Sequence, residues 1–356
     1  MTLSGFDQLF FDQLRRYPAL TVQDIVKSLY QSVFGCSHFV GEAGRKYLSD
    51  ELASLGAAKP AEFIEPIGPD YCRVHLAGLS ESGLAPDTLF SLFALSSRES
   101  AGSMDTFLAG LARLESLIDS GALPLDAAAS REYLEKYRAA GCPAIHHSEA
   151  FRAAYAPAYR VVSARCCRCL KVFCAIDRAL GERSALNVAI EGGSASGKTS
   201  LAALLEDVYD CNIFHMDDFF LQPHQRTPER YAQPGGNVDY ERFEQEVLIP
   251  LMRGEPFSYR KFDCSTMSLG ETVSVTPKRL NITEGAYSLH PRLKRAYHIK
   301  VFLDSDPEVQ RERILARNGA KMLERFTNEW IPLEHRYFEF TGVRESCDII
   351  LPPPEK

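Results

Sequence analysis

The sequence has no apolar run long enough to span a bilayer, and Met1 to Asp7 show no basic stretch leading into an apolar one. These absences argue against a transmembrane or exported protein and predict a cytoplasmic one. Basic charge is not in excess: 40 Lys and Arg against 47 Asp and Glu leave a formal charge of -7, so no global field draws nucleic acid. No compositionally biased tract is present, and 45% hydrophobic with 24% charged residues is a globular composition. The 10 cysteines show no repeated two-Cys spacing of a zinc or disulfide framework, and in the cytoplasm they read as reduced thiols. Cys166, Cys167, Cys169 and Cys174 form the one cluster, and within a helical apolar pattern they read as small buried hydrophobes rather than a metal site.

A length of 356 residues exceeds what one hydrophobic core usually organises, which predicts two domains. Residues 1–180 read as a mostly helical domain. Thr21 and Asp24 have capping-box spacing ahead of an apolar stripe from Val22 to Val33, and Gly35 ends that run. A short β pair, Phe63–Ile67 and Tyr71–Leu76, flanks Gly68-Pro69. Helices are predicted over Leu84–Leu95, Phe107–Ile118 and Asp126–Ala140, and a last long one, broken near Pro157, over Ser148–Leu180.

Beyond Gly181 short apolar runs alternate with helical stretches, the pattern of a parallel sheet with crossover helices. The predicted strands are Leu186–Ile190, Asn212–Met216, Leu280–Thr283, His298–Leu303 and Asp348–Leu351, giving an α/β second domain over 181–356. Between the first strand and the next helix stands G-G-S-A-S-G-K-T-S, running from Gly192 through Gly193, Ser194, Ala195, Ser196, Gly197, Lys198 and Thr199 to Ser200. This fits G-x-x-x-x-G-K-[ST] in the strand–loop–helix context that a phosphate-binding loop (P-loop) requires. Glycines let the backbone curl so that N–H groups face phosphate oxygens, and the helix N-terminus adds positive potential. Lys198 would neutralise β- and γ-phosphate charge, and the Thr199 hydroxyl would ligate Mg²⁺. Asp217 and Asp218 close the next strand at the same rim, where an acid can take a hydroxyl proton.

With these motifs the chain resembles the uridine kinase family and its phosphoribulokinase-like relatives. The resemblance rests on G-G-S-A-S-G-K-T-S, D-D-F-F, N-V-D-Y-E-R-F, I-T-E-G and F-L-D-S-D-P-E-V-Q-R-E-R-I-L-A-R, in family order, and covers only the C-terminal half. It implies a P-loop kinase fold with a five-stranded parallel sheet, and ATP- and Mg²⁺-dependent transfer of a γ-phosphoryl group to a hydroxyl of a nucleoside-like molecule. It implies Asp217 as catalytic base with Phe219 and Phe220 packed behind, Asp239 on the acceptor's hydroxyls, and Glu284 beside Mg²⁺. Arg313 and Arg317, more than Arg311, match a lid that closes over the phosphoryl group. Tyr259 and Phe262 stand near where uridine kinases recognise the pyrimidine, but Arg260 and Lys261 intrude and no His follows. That departure leaves the acceptor open between a nucleoside, another sugar and a phosphorylated sugar, and a nucleotide-dependent regulatory switch remains the reading from another class. The glycine pair at Gly235-Gly236 predicts a mobile connection, and Asn318–Trp330 is short for the family's lid. ATP versus GTP, homo-oligomerisation and the role of the N-terminal half stay open; a regulatory or acceptor-shaping helical module is the more economical reading of that half, and a metal or acid–base site built from His38, His75 and His146 is its alternative.

Overall fold

The computed structural model describes residues 1–36, 40–55, 62–99 and 102–353. The chain forms two compact units, Met1–Leu170 and Lys171–Lys356. The division falls ahead of Gly181 because the helix Leu170–Glu182 belongs, from Lys171 on, with the second unit.

In the first unit the Thr21/Asp24 capping box forms at the start of the helix Val22–Phe34. Gly35 ends it at φ 66°, where a Cβ would lie 2.7 Å from the Tyr71 ring, so both conformation and space call for glycine. Strands β1 (Ile64–Pro66) and β2 (Tyr71–His75) pair antiparallel, and β3 (Tyr159–Ser163) adds to β2, giving the order β1-β2-β3. The third strand corrects the long helix expected over Ser148–Leu180. Ser148 caps a helix of Glu149–Tyr155 only; Ala156 turns left-handed at φ 41° and Pro157 has no N–H to continue the ladder. The β-branched pair Val161 and Val162 then fits the sheet opposite Arg73 and Cys72. Phe6, Phe10, Leu29, Phe107, Leu114 and Phe151 lie in the core under these elements.

The second unit holds β4 (Leu186–Gly192), β5 (Cys211–His215), β6 (Phe257–Asp263), β7 (Ser268–Val275), β8 (Leu280–Glu284), β9 (Ile299–Leu303) and β10 (Ile349–Leu351). Five of these form a parallel sheet in the order β10-β9-β4-β8-β5, flanked by helices, as the apolar runs predict. Every residue of β4 and β8 is buried, which is why they read as continuous runs rather than alternating ones. β6 and β7 form an antiparallel hairpin outside this sheet, a feature the alternating grammar did not reveal.

Candidate active site

The loop after β4 has the shape its sequence demands. Gly192 sits at φ 146°, where a Cβ would come 2.6 Å from the Leu303 carbonyl oxygen on β9; Gly197 sits at φ 105°. Ala195 takes φ 56° between them. The helix Lys198–Val208 then begins directly after Gly197, so its first N–H groups open toward the loop. Lys198 is buried and its Nζ donates to the Gly193 carbonyl at 2.8 Å, folded over the loop it would serve.

Acids converge from the neighbouring strands. Glu284 ends β8, is buried, and through Oε1 accepts from the Thr199 hydroxyl at 3.1 Å. Gly285 follows at φ 140° because a Cβ would meet that of Met216 at 2.7 Å, so the E-G pair is one device: an acid at the strand end and a glycine that clears the next strand. His215 Nδ1 stands 2.6 Å from Glu284 Oε1, and this contact, opposed by burial, raises the imidazole pKa. Asp217 follows β5 with its side chain accessible, yet in a cleft where loss of water raises its pKa; Glu284 adds to the rise and Lys198 opposes it. Thr199 and Glu284 together fit a hydrated Mg²⁺, which takes one or two protein oxygens and fills its remaining positions with phosphate and water. Among the described residues no group of three or more His, Cys, Asp or Glu could hold a metal ion alone.

The residues expected on the acceptor side lie along the hairpin and the segment before it. Asp239 is buried; it caps the helix Tyr240–Phe243 by accepting from the Arg242 N–H at 3.0 Å, and takes Gln225 Nε2 at 2.8 Å. Tyr259 is buried and its hydroxyl reaches Asp218 Oδ2 at 3.3 Å. Phe219 is wholly buried between the Tyr259 and Phe243 rings, with the Arg242 guanidinium 4.1 Å above it. Phe262 pairs edge-on with Phe220, and Arg226 lies over it. Arg260 donates to the Leu269 and Gly270 carbonyls, and Lys261 pairs with Glu271 at 3.6 Å. The Gly235-Gly236 turn is held from within: Arg230 donates to the Gly236 and Val238 carbonyls and grips Glu241. Close packing, with a Cβ on Gly236 only 2.0 Å from the Arg230 carbonyl oxygen, calls for glycine at that position.

On the helix Pro307–Arg325, Arg313 donates to the Ala195 carbonyl at 3.1 Å, beside the loop. Arg317 is exposed and reaches only Asn318 among the described residues. Two residues past it, Gly319 interrupts the helix at φ 78°, ψ 171°. Asn318–Trp330 is otherwise helical.

Two buried acids escaped the sequence reading. Glu191, wholly buried, accepts from the N–H groups of Gly192, Tyr287 and Leu289 and from the Tyr337 hydroxyl; desolvation pushes its pKa up to about 7 despite these donors. Glu334 accepts from the Ser194 N–H at 2.9 Å and the Ser194 hydroxyl at 2.5 Å, and burial raises its pKa against the pull of Lys198. Nothing local marks Glu334, 140 residues from the loop it braces. His215 stood two residues before a motif already singled out, and its place at a strand end was the available signal.

In the first unit, His38 lies outside the described residues. His75 bonds to Glu65, and His146 is exposed and joins nothing among the titratable groups described. Its neighbour His147 is the buried one, bonded to Asp24 and Tyr159. Cys166, Cys167 and Cys169 are buried and Cys174 half-buried, all as free thiols.

A parallel sheet with the P-loop on its central strand, an acid closing each of the two strands to one side of it, and arginines on the helix beyond β9 defines a P-loop kinase. No family model matches the chain. It is 30% identical over 183 residues to the uridine kinase of Geobacillus sp. (strain WCH70), covering 46% of this chain and 84% of that one. It is 26% identical over 186 residues to the uridine kinase of Geobacillus kaustophilus, with the same coverage of each chain. Among solved structures, one titled as a possible uridine kinase from Bacillus stearothermophilus aligns at 20% identity over 49% of this chain and 96% of that one, with a TM-score of 0.37. Through its C-terminal half, the chain belongs to the uridine kinase family.

Proposed function

We propose that the second unit is an ATP- and Mg²⁺-dependent kinase that transfers the γ-phosphoryl group to a hydroxyl of a nucleoside-like small molecule. Asp217 carries the reading: it is an accessible carboxylate at the P-loop rim, in the field of Lys198, and its raised pKa makes it a better proton acceptor. The hydroxyl's proton moves to Asp217 as its oxygen attacks phosphorus. Residues Gly192 to Ser200 hold the phosphates, with Lys198 on the β- and γ-oxygens. Arg313 and Arg317 balance charge on the migrating group. Thr199 and Glu284 would hold Mg²⁺, whose contribution when bound is to neutralise phosphate charge. Asp239, Tyr259 and Phe262 line the acceptor side, with Phe219 as the wall behind.

Uridine or cytidine is the acceptor this reading favours, because the curated relatives are uridine kinases. Another sugar or a phosphorylated sugar is the competing acceptor, and Arg260 and Lys261 are the residues that motivate it. Both are engaged within the hairpin, which favours a neutral acceptor. A nucleotide-dependent switch has no use for an accessible base at Asp217. The test is ATP consumption with nucleosides, pentoses and pentose phosphates in turn. Asp217→Asn is expected to lower kcat about 10²- to 10⁴-fold and leave nucleotide binding intact. Unchanged turnover in that variant, or no ATP-dependent product from any acceptor, would sink the kinase reading.

A further inference from the structure

The P-loop is gripped from outside by two helices, and Ser194 is the centre of that grip. Its N–H donates to Glu334 Oε2 at 2.9 Å, its hydroxyl to Glu334 Oε1 at 2.5 Å, and its carbonyl accepts from Gln310 Nε2 at 2.7 Å. One residue on, Arg313 donates to the Ala195 carbonyl. Gln310 and Arg313 stand on the helix Pro307–Arg325, and Glu334 on the helix Ile331–Thr341. Gly193 permits the approach, because a Cβ there would come 3.1 Å from Gln310 Nε2 and 3.4 Å from Glu334 Oε2. Both side chains are buried, Glu334 at 4% exposure, so water does not compete for their bonds.

The Gly193–Ser194 peptide is the joint of this arrangement. The bond is trans, so its C=O and N–H point to opposite sides of one plane. The carbonyl accepts from Lys198 Nζ at 2.8 Å, and the N–H donates to Glu334. Glu334 therefore lies across the peptide from Lys198, on the outer side of the loop. An ammonium has three N–H donors; the carbonyl takes one and leaves two for phosphate oxygens. The direction of those two follows from the carbonyl, and the carbonyl's direction from its plane. Two bonds from Ser194, one to each carboxylate oxygen, fix that plane from behind. The same helix holds the residues just before it: Tyr337, one turn past Glu334, donates to Glu191, which accepts the Gly192 N–H.

We propose that Glu334 is a positioning residue for Lys198. By fixing the Gly193–Ser194 plane it holds the carbonyl that aims the ammonium, so a helix near the far end of the chain sets the phosphate site. With the carboxylate gone, the peptide is free to turn and the carbonyl leaves the lysine. The inference rests on the reading that this loop holds nucleotide phosphates; it asks nothing of the acceptor or of transfer itself.

Nucleotide titrations of the full chain, with Mg²⁺ present, test this. AMP lacks the β-phosphate that Lys198 addresses, and ADP has it. Glu334→Ala is expected to weaken ADP binding about tenfold and AMP binding by less than about twofold. Lys198→Ala is expected to weaken ADP binding about 10- to 100-fold, and adding Glu334→Ala should cost little more, since the group through which Glu334 acts is already gone. Additive losses in the double variant, or equal losses for AMP and ADP, overturn the role and leave Glu334 a packing residue. Two further variants separate reach from charge and serve equally if Glu334→Ala does not fold. Glu334→Gln keeps an oxygen for the Ser194 N–H, whereas Glu334→Asp keeps the charge and falls one methylene short. Tighter ADP binding in Glu334→Gln than in Glu334→Asp is expected; equal binding or the reverse order overturns the role. A chain that binds ADP and phosphorylates no acceptor sinks the kinase reading alone. A parent chain that binds ADP no better than AMP removes the phosphate site, and the role of Glu334 with it.

Discussion

The Thr199 hydroxyl and the Glu284 carboxylate, 85 residues apart in sequence, meet at 3.1 Å where two parallel strands end. In register, Ile190 stands opposite Glu284, so the loop that leaves β4 and the acid that closes β8 start from the same level of the sheet. Glu284→Gln keeps the shape and removes the negative charge offered to a divalent ion. The Mg²⁺ concentration for half-maximal phosphoryl transfer is expected to rise about 10- to 100-fold, with a smaller change in nucleotide affinity. An unchanged Mg²⁺ titration would remove Glu284 from the metal's surroundings.

Arg313 and Arg317 share a helix face but differ in what they do at rest. Arg313 already touches the loop through the Ala195 carbonyl, whereas Arg317 points into water. Arg317→Ala is therefore expected to leave stability within about 0.5 kcal/mol of the parent. If it closes on the transferring group, kcat falls about 10³-fold. Equal losses of stability and rate would mark a folding defect instead.

Glu191 gathers three backbone N–H groups and a phenol in a space closed to water. Glu191→Ala strands these four donors, and each buried donor left alone costs about 1 kcal/mol or more, so a loss of about 4 kcal/mol is expected. Hydrogen exchange resolved by peptide should show it around β4, residues 285–289 and the helix Ile331–Thr341. Tyr337→Phe removes one donor, and its effect should be a fraction of that.

His147 makes the first unit sensitive to acid. Burial, more than the opposing bond to Asp24, brings its pKa down to about 4, below the 6.5 of a free imidazole. Between those values the unfolded chain binds a proton that the folded one refuses. The contribution is intact above pH 6.5 and is lost as pH falls toward 4, at most about 3 kcal/mol. Burial works against the Asp24 carboxylate, yet bonds from His147 and Ser148 hold its pKa far below normal, which adds a loss of the same sign below about pH 4. Exchange rates in this unit, corrected for intrinsic pH dependence, should rise across that window and rise less in His147→Asn.

The five parallel strands were legible because each is a short apolar run bounded by glycine or polar turns, with β4 and β8 buried throughout, and the P-loop because its residues are contiguous. β3 was not, since Tyr159 to Ser163 continues an apolar spacing that a helix also satisfies; what decides is Pro157 and the pairing with β2, a contact 88 residues distant. The β6–β7 hairpin, with mixed polar and apolar positions on both strands, shows neither period clearly. At the site, Asp217, Lys198 and Thr199 belong to motifs, whereas Glu191, Glu334 and His215 matter through partners brought by the fold. In the first unit the sequence drew the eye to His146, but which of two adjacent histidines turns inward is fixed by Ser148 capping onto Asp24.

The sheet order has one more consequence. β8 lies between β4 and β5, so the strand carrying the phosphate loop and the strand preceding Asp217 are two ladder steps apart, about 9.6 Å at roughly 4.8 Å per step. That interval acts as a fixed ruler, set by main-chain hydrogen bonds on both sides of β8 rather than by any side chain at the rim. Under the proposed function, changes in the β6–β7 hairpin or around Asp239 would therefore alter which molecule is accepted without resetting the span between the P-loop and Asp217.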